Sequence, residues 1–167
     1  MKNKILLFVS VFLVLLALLI GRRAEAPTEP NSLLSELPTR EQSGPTLTVG
    51  NRIISLLLAK TEAERELGLG DREAIREDEG MLFVFPKGDR YGIWMKNMRF
   101  PLDIVWLSPS SSDRQELIVL DMQENVAVET YPKVFYPKTD ARYVLEVNAG
   151  AAKKFGIGGE SVLTLKE

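Results

Sequence analysis

Two stretches, Gly80-Met81-Leu82-Phe83-Val84-Phe85 and Leu102-Asp103-Ile104-Val105-Trp106-Leu107, decide the fold. Each is too short for a buried helix, and each is bracketed by chain breakers, so each reads as a core strand. Pro86-Lys87-Gly88-Asp89 turns the first, and Tyr91 to Met95 reads as its returning partner. Phe100-Pro101 precedes the second and the polar loop Ser108 to Asp113 follows it.

Working outward, Leu47 to Val49 and Arg52 to Ala59 are β-like runs joined by Gly50-Asn51, a hairpin signal. Thr61 with Glu64 forms a capping-box pattern that opens a helix through Glu66 or Leu67, ended by Gly68 and Gly70. Asp71 to Asp78 is a charged surface turn. Downstream, Glu116 to Met122 and Asn125 to Thr130 read as a further strand pair, and Tyr131 to Asp140 as a loop. Arg142 to Val147 is strand-like. A short helix from Asn148 or Ala149 to Lys154 is closed by Gly156, and Ser161 to Lys166 makes the last strand. Short strands with two brief helices imply an α+β domain, compact, mainly antiparallel β and curled toward a barrel. No internal repeat is visible, and Gly156-Ile157-Gly158-Gly159 lacks the lysine and helix of a phosphate loop.

Ile5 to Ile20 is apolar throughout except for Ser10, with Lys2 and Lys4 before it, which is the pattern of an export signal. As a helix this N-terminal run extends about 24 Å, short of the hydrocarbon thickness of a bilayer. Arg22-Arg23 can snorkel to the far interface and keep the helix anchored, whereas Ala24-Glu25-Ala26 offers a small-x-small cleavage site. Either outcome places the domain outside the cytoplasm, anchored in the membrane or released. Residues 25–45, with Pro27, Pro30, Pro38 and Pro45, read as a flexible linker. The expected organisation is therefore 1–24 signal or anchor, 25–45 linker and 46–167 a single globular domain.

Composition narrows the chemistry. The 45% hydrophobic content supports a packed core. The first 26 residues carry net +3, so the total of −2 leaves −5 for the remainder, which gives no electrostatic ground for nucleic-acid binding. The chain has no cysteine and no histidine, which removes thiolate nucleophiles, imidazole bases, disulfides and zinc sites built on those ligands. No cofactor and no metal are expected. The acidic cluster Asp71 to Glu79 lacks the spacing of a calcium loop.

Polar residues embedded in apolar runs mark the candidate site: Trp94, Lys96, Asn97, Asp103, Arg142, Glu146 and Asn148. Strand alternation puts Arg142, Val144, Glu146 and Asn148 on one, polar face, and Tyr143, Leu145 and Val147 on an apolar one. Three readings follow. Lys96, Asp103, Arg142 and Glu146 could form a buried ion-pair network that fixes the fold. Trp94, Met95, Met98 and Phe100 beside Lys96 and Asn97 could wall a pocket for a small molecule or cell-envelope ligand. Asp103 and Glu146 could be the carboxylate pair of an envelope hydrolase. The leading expectation is a non-catalytic, envelope-associated binding module with a conformation-fixing polar cluster, and the hydrolase is the alternative.

Glu64, Gly68-Leu69, Arg72, Gly80 to Phe85, Trp94 to Met98, Pro101-Leu102-Asp103, Arg142 to Glu146 and Asn148-Ala149-Gly150 together resemble domain-of-unknown-function family 192. These are small bacterial and archaeal proteins, often with an export signal. The resemblance runs from about Ile53 to Leu165 and implies a β-rich α+β fold without an established reaction. Gly70 departs from the family pattern, which commonly has a bulky residue, often Met, after the Gly-Leu.

Overall fold

The computed structural model describes residues 44–159 and 161–167. The apolar N-terminal run and the linker lie outside the described residues.

Strands β1 (Thr46–Val49) and β2 (Arg52–Ala59) form the expected hairpin. Helix α1 (Glu62–Leu67) follows, with Thr61 and Glu64 making both reciprocal bonds of the capping box. Then come β3 (Glu79–Asp89), β4 (Ile93–Trp94), β5 (Leu102–Pro109), β6 (Glu116–Val126), a single 3-10 turn (Val128–Thr130) and β7 (Val134–Phe135). Strand β8 (Ala141–Asn148), helix α2 (Ala151–Phe155) and β9 (Val162–Lys166) complete the domain. Seven strands close into a barrel in the order β1-β2-β3-β8-β5-β6-β9, with β9 returning to β1, while β4 and β7 form a separate ribbon. The fold is mainly β with two short helices, as the strand pattern implied.

Several elements differ from the sequence reading. Strands β2 and β3 are parallel, with Leu56 opposite Gly80 and Leu58 opposite Leu82. A parallel neighbour requires a crossover, which α1 and residues 68–78 supply. Residues 86–89 continue β3 instead of turning it, with a register shift between Val84 and Asp89. The segment 91–95 therefore pairs with β7 and not with β3. Residues 116–126 form one long strand rather than half of a hairpin, and Asn125 sits in the left-handed region at φ 53° near its end. Strand β8 runs through Asn148, so α2 starts only at Ala151.

Alternation divides the side chains of the central strands β3, β8 and β5 between two apolar clusters. Leu82, Leu145, Val147, Val105 and Leu107 join Leu47, Ile54, Leu117 and Leu163 inside the barrel. Helix α2 plugs this cluster with Ala151, Ala152 and Phe155. The opposite face carries Met81, Phe83, Phe85, Val144, Ile104 and Trp106. Leu69, Ile75, Ile93, Met95 and Met98 cover it, contributed by the crossover, the ribbon and the turn after it. The expectation of one polar and one apolar face on β8 is thus corrected. Both faces are buried, because a second layer of chain lies on the outside of the barrel wall.

Candidate functional site

Between that outer layer and the barrel wall opens a cleft of about 220 Å³. Helix α1 supplies Glu62, Arg65 and Glu66 to its mouth. Strand β3 supplies Phe83 and Phe85, the ribbon supplies Ile93 and Trp94, and the following turn supplies Lys96 and Met98. At its floor is Glu146 of β8, 4% exposed.

Glu146 is held there by register. It lies opposite Met81 on one side and Ile104 on the other, so its carboxyl rises from an apolar patch of the wall. Its Oε2 is buried without a hydrogen-bond partner in the protein. Burial alone pushes its pKa up to about 8, so at neutral pH the group is mostly a neutral carboxylic acid. A buried polar atom without a partner costs free energy comparable to a lost hydrogen bond and calls for an explanation.

The walls are aromatic, and two cations already rest on them. The Arg65 guanidinium lies 5.1 Å from the Phe85 ring centre and donates to the carbonyls of Lys60 and Val84. The Lys96 ammonium lies 5.3 Å from the centre of Trp94, which is 46% exposed at the rim. Trp94 also meets Tyr131 edge-on, and Phe85 stacks on Tyr91. Close packing of two segments keeps the rim narrow. A Cβ on Gly92 would fall 2.5 Å from Val134 Cγ1, and one on Gly70 would fall 3.3 Å from the Lys96 carbonyl oxygen. The small residue at Gly70, unusual for the resemblance noted above, is what lets the turn at Lys96 and Asn97 lie against the end of α1.

Of the residues singled out from the sequence, Trp94, Lys96 and Glu146 meet in this cleft. Asn97 is beside it, where its φ of 58° gives the turn a left-handed residue that asparagine tolerates. The other three do structural work elsewhere. The Asn148 side-chain amide donates to the carbonyls of Ile75 and Arg76, tying down the crossover. Arg142 Nε donates to the Phe85 carbonyl. Asp103 is fully buried, and its two oxygens accept from the backbone amides of Asn125 and Ala152 at 2.8 and 2.9 Å.

The proposed ion-pair network is absent: among the described residues no salt bridge joins Lys96, Asp103, Arg142 or Glu146. Nor do the two acids form a pair. Ile104 is opposite Glu146 and Asp103 is opposite Val147, so alternation sends the two carboxyls to opposite faces of the sheet. A carboxylate pair flanking one bond is incompatible with that placement. Sequence reasoning missed Arg65, Phe83 and Phe85 as site residues. The capping box located α1 along the chain, but nothing local showed that the helix stands over β3. Among the described residues no three acidic side chains converge as a possible metal site.

Comparisons with known proteins agree with this architecture. The crystal structure of a candidate transcription regulator from Sinorhizobium meliloti is similar at a TM-score of 0.63 and 27% identity, covering 72% of this chain and 91% of that one. A protein of unknown function from Novosphingobium aromaticivorans is similar at 0.60 and 27%, covering 71% and 82%. No curated protein matches the chain. The model of the family DUF192, described as "Uncharacterized ACR", matches residues 46–165, which take in the barrel strands except the last residue of β9 and the cleft residues of α1, β3, β4 and β8, and the chain belongs to that family.

Proposed function

We propose that the domain is a non-catalytic binding module that takes a small amphipathic molecule in the cleft above Glu146. One observation carries this reading: a glutamate that is 4% exposed, with its Oε2 lacking a protein partner, lies at the floor of an aromatic-walled cleft. Ligand sites are concave, mostly apolar and marked by few convergent polar groups, and perturbed ionisation adds to the signature. The cleft's volume suits a compact ligand with an apolar body and one hydrogen-bonding end.

The module works outside the cytoplasmic membrane in this proposal, carried there by the apolar run Ile5 to Ile20, either as an anchor or as a cleaved signal. Its partners are then the membrane, through that run, and a small-molecule or envelope ligand. The acidic balance of the remainder of the chain argues against nucleic acid.

Fragment screening of the isotopically labelled full-length protein by amide chemical shifts tests the binding reading. Compounds of about ten heavy atoms should shift Gly68, Ile93, Lys96 and Glu146 together. Shifts scattered over the barrel, or none at those four, would reject the cleft as a site.

A further inference from the structure

We propose that the preferred occupant of the cleft is a small organic cation, an ammonium group on a compact apolar body, whose charged end pairs with Glu146. The inference rests on the binding reading above and names the chemistry of its ligand.

Three features select a cation. A buried carboxyl must be satisfied by a hydrogen-bond donor or by an opposite charge, and Glu146 is the buried one here whose Oε2 has no partner. Asp103, the other buried acid, is satisfied by two backbone amides and faces away. Next, the cleft walls present ring faces to positive charge. Arg65 and Tyr91 already cover Phe85 and Lys96 covers one face of Trp94, which leaves the Phe83 ring of the lining for a ligand. Finally, Glu62 and Glu66 at the mouth add two carboxylates to the lining.

The basic groups of the lining oppose a ligand cation less than their count suggests. Arg65 is engaged by two backbone carbonyls, and Lys96 reaches from a turn at the rim, where water screens its charge. The groups packed against Glu146 from its own wall, Met81 and Ile104, are uncharged. Pairing moves one proton. The neutral carboxyl of Glu146 loses its O–H hydrogen to solvent as the ammonium arrives, leaving a carboxylate that accepts from N–H of the ligand. An ammonium therefore binds with proton release, whereas a neutral or anionic ligand leaves that hydrogen in place as a donor.

The test compares benzylammonium, benzyl alcohol and benzoate on the full-length protein. Trp94 emission, isolated by carrying Trp106→Phe in every protein compared, follows occupancy, and calorimetry in two buffers of different ionisation enthalpy counts protons. Benzylammonium should bind tightest and release about one proton at pH 6 and about half of one at pH 8. Glu146→Gln should weaken benzylammonium on the order of 100-fold and leave benzyl alcohol within about threefold. Tighter binding of benzyl alcohol or benzoate, or benzylammonium binding with no proton released, would overturn the cation while leaving the cleft as a binding site. If none of the three perturbs Trp94, the binding reading falls with it. Melting of Glu146→Gln, followed in parallel, separates lost pairing from lost folding.

Discussion

Glu146 shows how a single side chain links the fold to its chemistry. In the folded protein it holds its proton up to about pH 8, whereas its ordinary value is 4.5. Below pH 4.5 both the folded and the unfolded chain hold the proton, and this group contributes no pH dependence. Between the two values only the folded state holds it, so stability falls as pH rises, by about 1.4 kcal/mol per pH unit, and levels off above pH 8. Glu146→Gln should abolish that slope and gain roughly 4 kcal/mol on the wild type at pH 8 relative to pH 4.5. Urea unfolding from pH 4.5 to 9 measures it, and parallel curves for the two proteins would refute the buried acid. The sequence marked this residue, since a glutamate inside Tyr143-Val144-Leu145-Glu146-Val147 stands out. It could not show that its face is covered, because the covering residues come from the crossover and the ribbon, far away in the chain. Asn97 was also marked, but its φ of 58° gives it a backbone reason for being asparagine that no residue pattern displays.

At the scale of elements, Asp103 is the joint that sequence reasoning found and misassigned. The sequence offers it as a member of an ion-pair network or of a carboxylate pair, and in the fold it clamps β6 and α2 to β5 through the amides of Asn125 and Ala152. Asp103→Ala would leave the buried amide of Ala152 without an acceptor and the amide of the exposed Asn125 to solvent, at a cost of about 1–3 kcal/mol. Asp103→Asn keeps one acceptor oxygen but aims an N–H at the second donor, so it should recover only part of the loss. Melting temperature with hydrogen exchange at Asn125 and Ala152 checks this. Unchanged protection at both amides in the alanine variant would disprove the clamp. Strand positions along the chain were largely legible, because apolar runs and turn residues are local signals. Pairing partners were less so. The returning strand expected at 91–95 shrank to Ile93–Trp94 and paired with Val134–Phe135, inside what read as a loop. Two-residue strands have no period to detect, and the parallel match of β2 with β3 depends on a crossover whose path is set by packing.

Across the whole domain, what is shared is the closure of the barrel, and it passes through Leu163. That residue is fully buried and lies opposite Val49 on β1 and opposite Leu117 on β6, so one side chain closes the seam from both directions. Leu163→Ala should cost about 2–5 kcal/mol through lost burial and the cavity left behind. Removing residues 162–167 is far more severe, since it exposes the edges of both β1 and β6, and the cooperative transition should disappear. The seam belongs to the interior cluster, whereas Glu146 is buried by the outer layer. If both layers unfold in one step, Leu163→Ala lowers the entire stability curve between pH 4.5 and 9 without changing its slope, because the proton on Glu146 is still released only by global unfolding. If weakening the seam lets the outer layer open ahead of the barrel, the slope flattens in the variant, since part of the population already has that carboxyl in water. Urea titrations of Leu163→Ala at pH 5 and pH 8 therefore decide whether the cleft is a rigid part of the barrel. A difference between the two pH values equal to that of the wild type establishes it, and a smaller one means that the outer layer opens before the weakened barrel unfolds.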